Sequence, residues 1–351
     1  MSLYEHFTED LLEEAAIEIL QELGYDYASG LDLSPGGTQV ERETLKEVLL
    51  ERRLEEALST INPELPPEAL EEAYRQVITF NSPSLIENNR HFHQLMTEGI
   101  EVSYKEKGEI RTKRAYVIDF ENPLNNNFLA VNQFTVVEKE DRRPDIVLFV
   151  NGLPLVVIEL KSASDEEVGI ENAYNQIQTY KREIPSLFNY NAFNIISDGI
   201  NAKVGTLTSN EEWFMNWRTV DGKHIEPLSN PQYEVLFNGI LQKERLLDIV
   251  HNFILFQESQ EAEKDANGKI LGNNKSVVKI MAAYHQYFAV KKAVAKTKEA
   301  TQEEGDRQIG VIWHTQGSGK SFSMVFYTGG LVRELISIFS SNTDNILTKL
   351  F

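Results

Sequence analysis

The first eighty residues are dominated by apolar positions that recur at helical spacing. Residues 3–23 form one amphipathic helix in this pattern, and Gly24 ends it. A second helix is predicted over about 40–58, and a third over about 67–80. The chain therefore begins with predicted helices that each bury one apolar face.

From about residue 99 the apolar pattern changes to that of β-strands. The predicted strands are about 102–104, 115–120, 128–137, 145–150, 155–161, 192–196 and 204–207. A helical pattern over 166–183 interrupts them. This succession favours the α/β class, with a mixed sheet and N-terminal helices. We predict one domain over 1–256, with its core at about 99–210.

The clearest hairpin signal is Asn151-Gly152 between two apolar strands. In a three-residue loop centred on Gly152, Asp145 pairs with Glu159. Lys161 lies two positions beyond Glu159, so the period of two in a strand puts both side chains on one face. The pattern thus brings two carboxylates and one ammonium to the open end of the hairpin.

This set of residues fits metal-dependent cleavage of a phosphodiester. Asp145 and Glu159 are ligands that suit Mg²⁺, which keeps waters and a phosphate oxygen in its other positions. The metal polarises the phosphodiester and lowers the pKa of a bound water, and Lys161 orients that water or stabilises charge on the phosphate. The alternative is a surface hairpin that ends in a Glu–Lys pair, since this spacing also arises by chance. The turn and the strand phasing favour the catalytic interpretation.

Residues 257–275 have no apolar period and are predicted to be a linker to a second domain, 276–351. A helix over about 277–295 and a short buried strand at 310–313 are predicted there. The glycine-rich segment after that strand opens another helix, which is typical of a phosphate-binding loop. Its predicted nucleotide-binding residues are Thr315, Gly317, Ser318, Gly319, Lys320 and Ser321. ATP is the expected nucleotide, with Lys320 on its phosphates and Ser321 on Mg²⁺.

Two short stretches resemble known nucleases. Arg143-Pro144-Asp145 together with Glu159-Leu160-Lys161 resembles the PD-(D/E)xK nucleases. Gln176 and Tyr180 resemble the Q-x3-Y element that follows that core in RecB-like nucleases and in the R subunits of type I restriction–modification enzymes. The resemblance implies that both are catalytic residues beside the metal, and that an acid from an N-terminal helix joins the site. The candidates for that acid are Glu41, Glu43 and Glu47.

The second domain resembles the same R subunits. The run from His314 to Ser321 is similar to their phosphate loop, with His314 where most such loops have glycine. Gln286 resembles the adenine-reading glutamine of superfamily 2 helicases. The resemblance implies the start of a RecA-like helicase domain. No D-E-x-H motif follows the loop, so we expect a truncated motor that does not hydrolyse ATP efficiently by itself.

Charge and composition narrow the function further. The formal net charge of −20 argues against a protein that coats nucleic acid non-specifically, although a nuclease needs positive charge only where DNA passes. The absence of cysteine excludes disulfides and Cys-ligated zinc. No signal peptide or membrane-spanning pattern is visible, so a cytoplasmic protein with no membrane partner is expected.

The resemblance therefore implies the restriction subunit of a type I restriction–modification system. Such a subunit is a Mg²⁺-dependent endonuclease that cleaves double-stranded DNA, coupled in the full-length protein to ATP-driven translocation. Its implied partners are double-stranded DNA and the modification (methyltransferase) and specificity subunits. Two alternatives stay open: a stand-alone PD-(D/E)xK nuclease of repair or defence, and a non-catalytic fragment that binds nucleotide or docks to partners.

Overall fold

The computed structural model describes residues 8–162, 169–227, 229–264, 270–302, 304–313 and 315–347. The helices are α1 (Glu9–Glu22), α2 (Gly30–Leu33), α3 (Glu51–Ile61), α4 (Pro67–Ile78), α5 (Leu85–Glu98), α6 (Ile170–Glu183), α7 (Pro185–Phe188), α8 (Gln232–Ile240), α9 (Lys243–Asn252), α10 (Tyr284–Thr301) and α11 (Lys320–Leu347). The strands are β1 (Asp26–Ser29), β2 (Ile100–Glu106), β3 (Glu109–Ala115), β4 (Phe128–Asn132), β5 (Val136–Val137), β6 (Asp141–Arg142), β7 (Ile146–Val150), β8 (Leu153–Leu160), β9 (Phe193–Ser197), β10 (Ala202–Gly205), β11 (Ile254–Lys264) and β12 (Ile270–Met281).

The chain divides into two compact units. The first comprises Met1–Leu247 and Leu255–Met281, and the second comprises Asp248–Ile254 and Ala282–Phe351. A search of the described residues finds no helix with the length and hydropathy needed to cross a membrane.

A six-stranded mixed sheet forms the core of the first unit, in the order β1-β4-β7-β8-β9-β10. β1 pairs in parallel with β4, and β8 in parallel with β9, while the other neighbours are antiparallel. Every residue of β7 and β8 is buried, as expected of central strands that are covered on both faces. The predicted α/β class with a mixed sheet is confirmed, and the strands that carry the candidate site lie at its centre.

The β7–β8 hairpin reaches its predicted pairing by a different route. Its turn has two residues, Asn151 and Gly152, rather than three, and both have positive φ (53° and 78°), as a type I′ turn requires. A β-bulge at Leu155 then adds one residue to β8. Beyond the bulge Ile146 pairs with Ile158, so the positions one step outward on the two strands are 145 and 159. The shorter turn and the bulge together give the predicted register.

The predicted helix over 40–58 forms only from Glu51 onward. In the segment before Glu51, the backbone makes hydrogen bonds to other parts of the chain. Val137 N donates to the Leu45 carbonyl at 2.9 Å. The buried Arg42 donates to the Glu47 carbonyl at 3.2 Å. These contacts hold residues 40–50 in a non-helical conformation, so they override the local apolar pattern.

Two predicted strands also differ. The strand expected at 115–120 lies earlier, as β3, which pairs with β2 around the turn at Lys107 and Gly108. The strand expected over 128–137 is split into β4 and β5. The break falls at Gln133, whose φ of 54° is left-handed and cannot continue a strand.

The predicted linker over 257–275 also differs from the structure. Residues 257–264 belong to β11, and residues 270–275 belong to β12. A two-stranded ribbon is held by backbone hydrogen bonds and needs no apolar alternation, so its polar sequence carries no strand signal.

In the second unit, α11 begins at Lys320, as predicted for the helix after the phosphate loop. The helix predicted from 277 begins at Tyr284 instead, because β12 continues to Met281. The strand predicted at 310–313 is not present, and Val311 and Trp313 are 93% and 89% exposed. A strand requires a paired neighbour, and no strand within the described ranges pairs with this segment.

Candidate active site

A polar cleft of about 550 Å³ lies where β7 begins and β8 ends. Side chains from α1, α6, the central hairpin and the segment after β4 meet there, although they are far apart in the sequence. The cleft is lined by Glu9, Asp10, Glu13, Gln133, Arg143, Asp145, Glu159, Lys161, Gln176 and Tyr180. All five residues predicted to be catalytic are in this set.

Asp145 and Glu159 are both buried at the base of this cleft. One Asp145 oxygen, Oδ2, accepts a hydrogen bond from Leu160 N at 2.7 Å. Burial, and then the neighbouring charge of Glu159, raises the pKa of Asp145. Burial also raises the pKa of Glu159, against the opposing effect of Lys161. Burial thus outweighs the effect of Lys161 on the pKa of both carboxyl groups.

Lys161 is the cation that faces this pair. Its Nζ lies 2.9 Å from Glu159 Oε1 and 3.1 Å from Glu9 Oε1. Burial acts to lower the pKa of Lys161, but the charges of Glu159 and Asp145 outweigh it, and the pKa is raised. The ammonium therefore remains protonated. Lys161 follows the last residue of β8, and its side chain lies beside that of Glu159.

Gln176 and Tyr180 project from one face of α6, one turn apart. The Tyr180 hydroxyl donates to the Arg143 carbonyl at 3.3 Å. Burial, followed by the charges of Glu159 and Asp145, raises the pKa of Tyr180. The phenol stays protonated and acts as a donor that anchors the backbone two residues before Asp145.

The acids that α1 contributes are Glu9, Asp10 and Glu13. Thr8 caps this helix by accepting from Leu11 N, and the first turn then points its acids into the cleft. The sequence shows acids in a first turn, but such acids are common because they suit the helix dipole. Nothing local distinguishes them as part of a site.

The three glutamates proposed from sequence do not line the cleft. Glu41 is paired with Arg53 at 2.7 Å. Glu47 accepts from the backbone N–H groups of Glu43 and Thr44, at 2.9 and 3.1 Å. Because residues 40–50 are not helical, they do not present acids to the site in the way the prediction required.

Gln133 is a second residue that sequence reasoning missed. Its backbone N–H donates to the Asp145 carbonyl at 2.8 Å, and its side-chain amide donates to Glu13. The preceding Asn132 also donates to Glu13, at 2.6 Å. The left-handed break after β4 thus ties α1 to the segment that leads into β7 and carries Asp145. A positive φ at a glutamine has no sequence signature.

The donor set of the cleft can be compared with what metals require. Within the described ranges, no group of three or more His, Cys, Asp or Glu side chains is arranged to hold a metal ion. Two carboxylates are sufficient for Mg²⁺, which is usually held by one or two of them together with waters and substrate phosphate. Glu159 Oε2 is buried and has no hydrogen-bond partner among the described residues. Asp145 and Glu159 therefore fit a hydrated Mg²⁺ and do not fit a cage made only of protein ligands.

The phosphate loop of the second unit is compact. Gly317 and Gly319 have positive φ of 83° and 73°, which glycine adopts without strain. Lys320 Nζ and Ser318 Oγ each donate to the Thr315 carbonyl at 2.8 Å. The predicted contact residue Ser321 is exposed in the first turn of α11. His314, the departure from the usual loop pattern, lies outside the described residues.

Gln286 is buried at the start of α10 and contacts the phosphate loop. Its Nε2 donates to the carbonyls of Gly319 and Ser318, at 3.0 and 3.3 Å. Its Oε1 accepts from Ala283 N at 2.8 Å, which caps α10. The amide predicted to read adenine is thus engaged with the loop backbone in this structure.

Comparisons with known proteins agree with these two regions. The family described as type I restriction enzyme R protein N terminus matches residues 6–213, and SWI2/SNF2 ATPase matches residues 285–344. The chain is 40% identical over 330 residues to the type I restriction enzyme HindI endonuclease subunit of Haemophilus influenzae. It is 32% identical over 340 residues to the putative type I restriction enzyme MjaIXP endonuclease subunit of Methanocaldococcus jannaschii.

These alignments cover 93% and 90% of this chain but 30% of each relative. The chain therefore spans about a third of the length of the curated relatives it matches. It belongs to the family of type I restriction enzyme R proteins, and the resemblance expected from its motifs is confirmed.

Proposed function

We propose that the first unit is a PD-(D/E)xK nuclease domain that cleaves double-stranded DNA, with Mg²⁺ bound by Asp145 and Glu159. One observation carries this proposal. A single central hairpin holds two buried carboxylates beside a protonated lysine, and Glu159 Oε2 accepts no hydrogen bond from the described residues. The relatives named as endonuclease subunits support the same activity.

When bound, Mg²⁺ would polarise the phosphodiester and acidify a bound water. The protein's part is to position groups around that reaction. Lys161 keeps its charge next to Glu159 and stabilises negative charge on the phosphate. Leu160 N orients the Asp145 carboxylate, and Tyr180 holds the backbone that leads to it. Gln176 contacts substrate or orients these residues from the same face of α6.

We propose further that the second unit binds ATP through its phosphate loop and is the start of a RecA-like motor. The match to SWI2/SNF2 ATPases and the helix that begins at Lys320 support this assignment. In this proposal translocation by the motor is coupled to cutting. Modification and specificity subunits supply recognition of the DNA sequence, so both are expected partners.

Metal binding and DNA cleavage test the nuclease proposal together. The chain should bind Mn²⁺ by calorimetry and cut supercoiled plasmid in Mg²⁺. Asp145→Asn and Glu159→Gln should each weaken Mn²⁺ binding and slow cutting by about 10³-fold or more. Lys161→Met should slow cutting but still bind Mn²⁺. Glu171→Gln, at an exposed position in the first turn of α6, is the matched control.

Each outcome has a distinct meaning. Normal cutting by Glu159→Gln with retained metal binding would show that the site is assigned wrongly. A wild-type chain that neither binds Mn²⁺ nor cuts would favour the non-catalytic docking fragment. A chain that cuts plasmid but does not capture a complex of modification and specificity subunits in a pull-down would favour a stand-alone nuclease.

A further inference from the structure

The cleft contains two cations whose surroundings differ. Lys161 is engaged by Glu159 and Glu9. Arg143 also lines the cleft, but its guanidinium makes no ion pair or hydrogen bond with any residue that the structure describes. Arg143 is also exposed, so its guanidinium is accessible to a ligand that enters the cleft.

The backbone on both sides of Arg143 is fixed. Pro144 follows it, and a residue before proline is restricted to extended conformations. The Arg143 carbonyl accepts from the Tyr180 hydroxyl at 3.3 Å. The side chain of Arg142 is held by an ion pair with Glu183. Arg143 is therefore presented by a rigid segment and not by a loose loop.

This segment also determines the side of the chain on which the Arg143 side chain lies. In an extended chain, side chains two positions apart lie on the same side. Arg143 and Asp145 are two positions apart, and both line the cleft. The exposed Arg143 side chain thus lines the same cleft as the carboxylate proposed to bind the metal.

The charge of the cleft indicates what this cation binds. With five acids against two cations its formal charge is −3, and an approaching DNA strand is repelled unless fixed positive charge lies at the entrance. A guanidinium is always charged and presents a planar fork of donors that matches two oxygens of a phosphate. Arg143 remains available for such an anion because the protein's own acids do not use it.

We propose that the Arg143 guanidinium binds a backbone phosphate of the DNA strand that enters the cleft. This inference rests on the proposed nuclease function and adds a substrate-binding residue to it. Arg143 positions the strand over Asp145 and Glu159, and it takes no part in holding the metal.

DNA binding in Ca²⁺ tests the role of Arg143 without cleavage. The affinity of this chain for a labelled DNA duplex is measured by fluorescence anisotropy over a range of salt concentrations. Arg143→Gln should weaken binding about tenfold and reduce the slope of log affinity against log salt by about one. The DNA affinity of Arg143→Lys should lie between those of the wild type and Arg143→Gln. Arg111→Gln is the control, because Arg111 lies on β3, is exposed and is already paired with Glu109 at 3.3 Å.

Mn²⁺ binding by the same variants separates this inference from the proposed function. Arg143→Gln should bind Mn²⁺ like the wild type, and loss of metal binding in that variant would overturn the inference. Wild-type affinity and salt slope in Arg143→Gln would overturn it too, while leaving the metal site intact. Failure of the wild-type chain to bind DNA despite bound metal has the same consequence. Failure of the wild-type chain to bind metal instead removes the proposed function itself.

Discussion

The cleft around Asp145 and Glu159 and the predicted phosphate loop both follow from short motifs, but the two motifs lie in different structural settings. In the cleft, Asp145 and Glu159 are buried and extend from two fully buried central strands. In the phosphate loop, Lys320 is exposed and donates to the Thr315 carbonyl of its own loop. The segment just before that loop, 310–313, is exposed and is not a strand.

The difference lies in where each motif finds its partners. The hairpin that carries Asp145 and Glu159 is closed by its own turn and bulge, so its geometry is set by adjacent residues. A phosphate loop that follows a parallel strand needs neighbouring strands from distant parts of a chain before that strand can form. We therefore expect substitutions in the hairpin to alter the fold, and substitutions in the phosphate loop to alter ligand binding with little effect on stability.

Gly152→Ala should have the largest effect on stability. Gly152 has a φ of 78°, and a Cβ added there would lie 2.3 Å from the Leu50 carbonyl oxygen. The turn and the start of α3 both have to shift, which should lower the free energy of unfolding by about 3 kcal/mol. Urea denaturation measures this change, and Mn²⁺ binding should weaken with it because the turn sets the register of Asp145 and Glu159.

Gly317→Ala in the phosphate loop is the matched control. Gly317 has a similar φ of 83°, but nothing lies within 4 Å of an added Cβ. Only the backbone strain remains, about 1 kcal/mol. Equal losses of stability in the two variants would contradict the contrast between a packed hairpin and an open loop.

Lys279→Met should change how the stability of the first unit depends on pH. Lys279 is buried in β12, and its Nζ donates to Asn89 Oδ1 at 2.9 Å and to the Asn191 carbonyl at 2.7 Å. Burial lowers the pKa of Lys279 from 10.5 to about 7. Between these values the unfolded chain binds the proton and the folded chain does not, so the stability of the wild type rises with pH.

The stability gained in this way is fully present above 10.5, the pKa of Lys279 in the unfolded chain. It is lost as the pH falls to about 7, the pKa in the folded chain. The methionine variant lacks it, so wild type should gain about 1.4 kcal/mol over Lys279→Met for each pH unit in this window. Urea denaturation at pH 7, 8 and 9 measures the difference. Lys113→Met, at an exposed position on β3, should run parallel to the wild type. A parallel curve for Lys279→Met would show that Lys279 stays protonated when buried.

What the sequence could predict depended on the distance between cooperating residues. Asp145, Glu159 and Lys161 lie within one hairpin, and a strand period of two fixes their relation. Gln176 and Tyr180 lie one helical turn apart, so their shared face follows from helix geometry. These five residues line one cleft, and local rules decide how they are arranged within each element.

The rest of the cleft could not be predicted because distant contacts decide it. Glu9 and Glu13 reach the site through the packing of α1, and the side-chain amide of Gln133 fixes Glu13 there. Nothing near Glu41 in the sequence indicates that its carboxylate is taken by Arg53. The missing strand at 310–313 has the same cause, since an apolar run shows that a strand is possible and not that it has a neighbour.

Lys320→Ala should have the smallest effect on stability. Lys320 is exposed, and exposed substitutions usually change the free energy of unfolding by less than about 0.5 kcal/mol. Binding of a fluorescent ATP analogue with Mg²⁺ should nevertheless fall by tenfold or more, because the variant lacks the ammonium that we propose contacts the phosphates.

Lys292→Ala, at an exposed position on α10, controls for loss of a positive charge and should bind the analogue like the wild type. If Lys320→Ala instead binds the analogue normally, the phosphates do not lie on this loop. If it unfolds more easily by over 1 kcal/mol, the loop contributes to the fold as the hairpin does. Either of these two results would remove the contrast between the hairpin and the loop. The contrast requires that a ligand site can lose a contact residue while the surrounding fold keeps its stability.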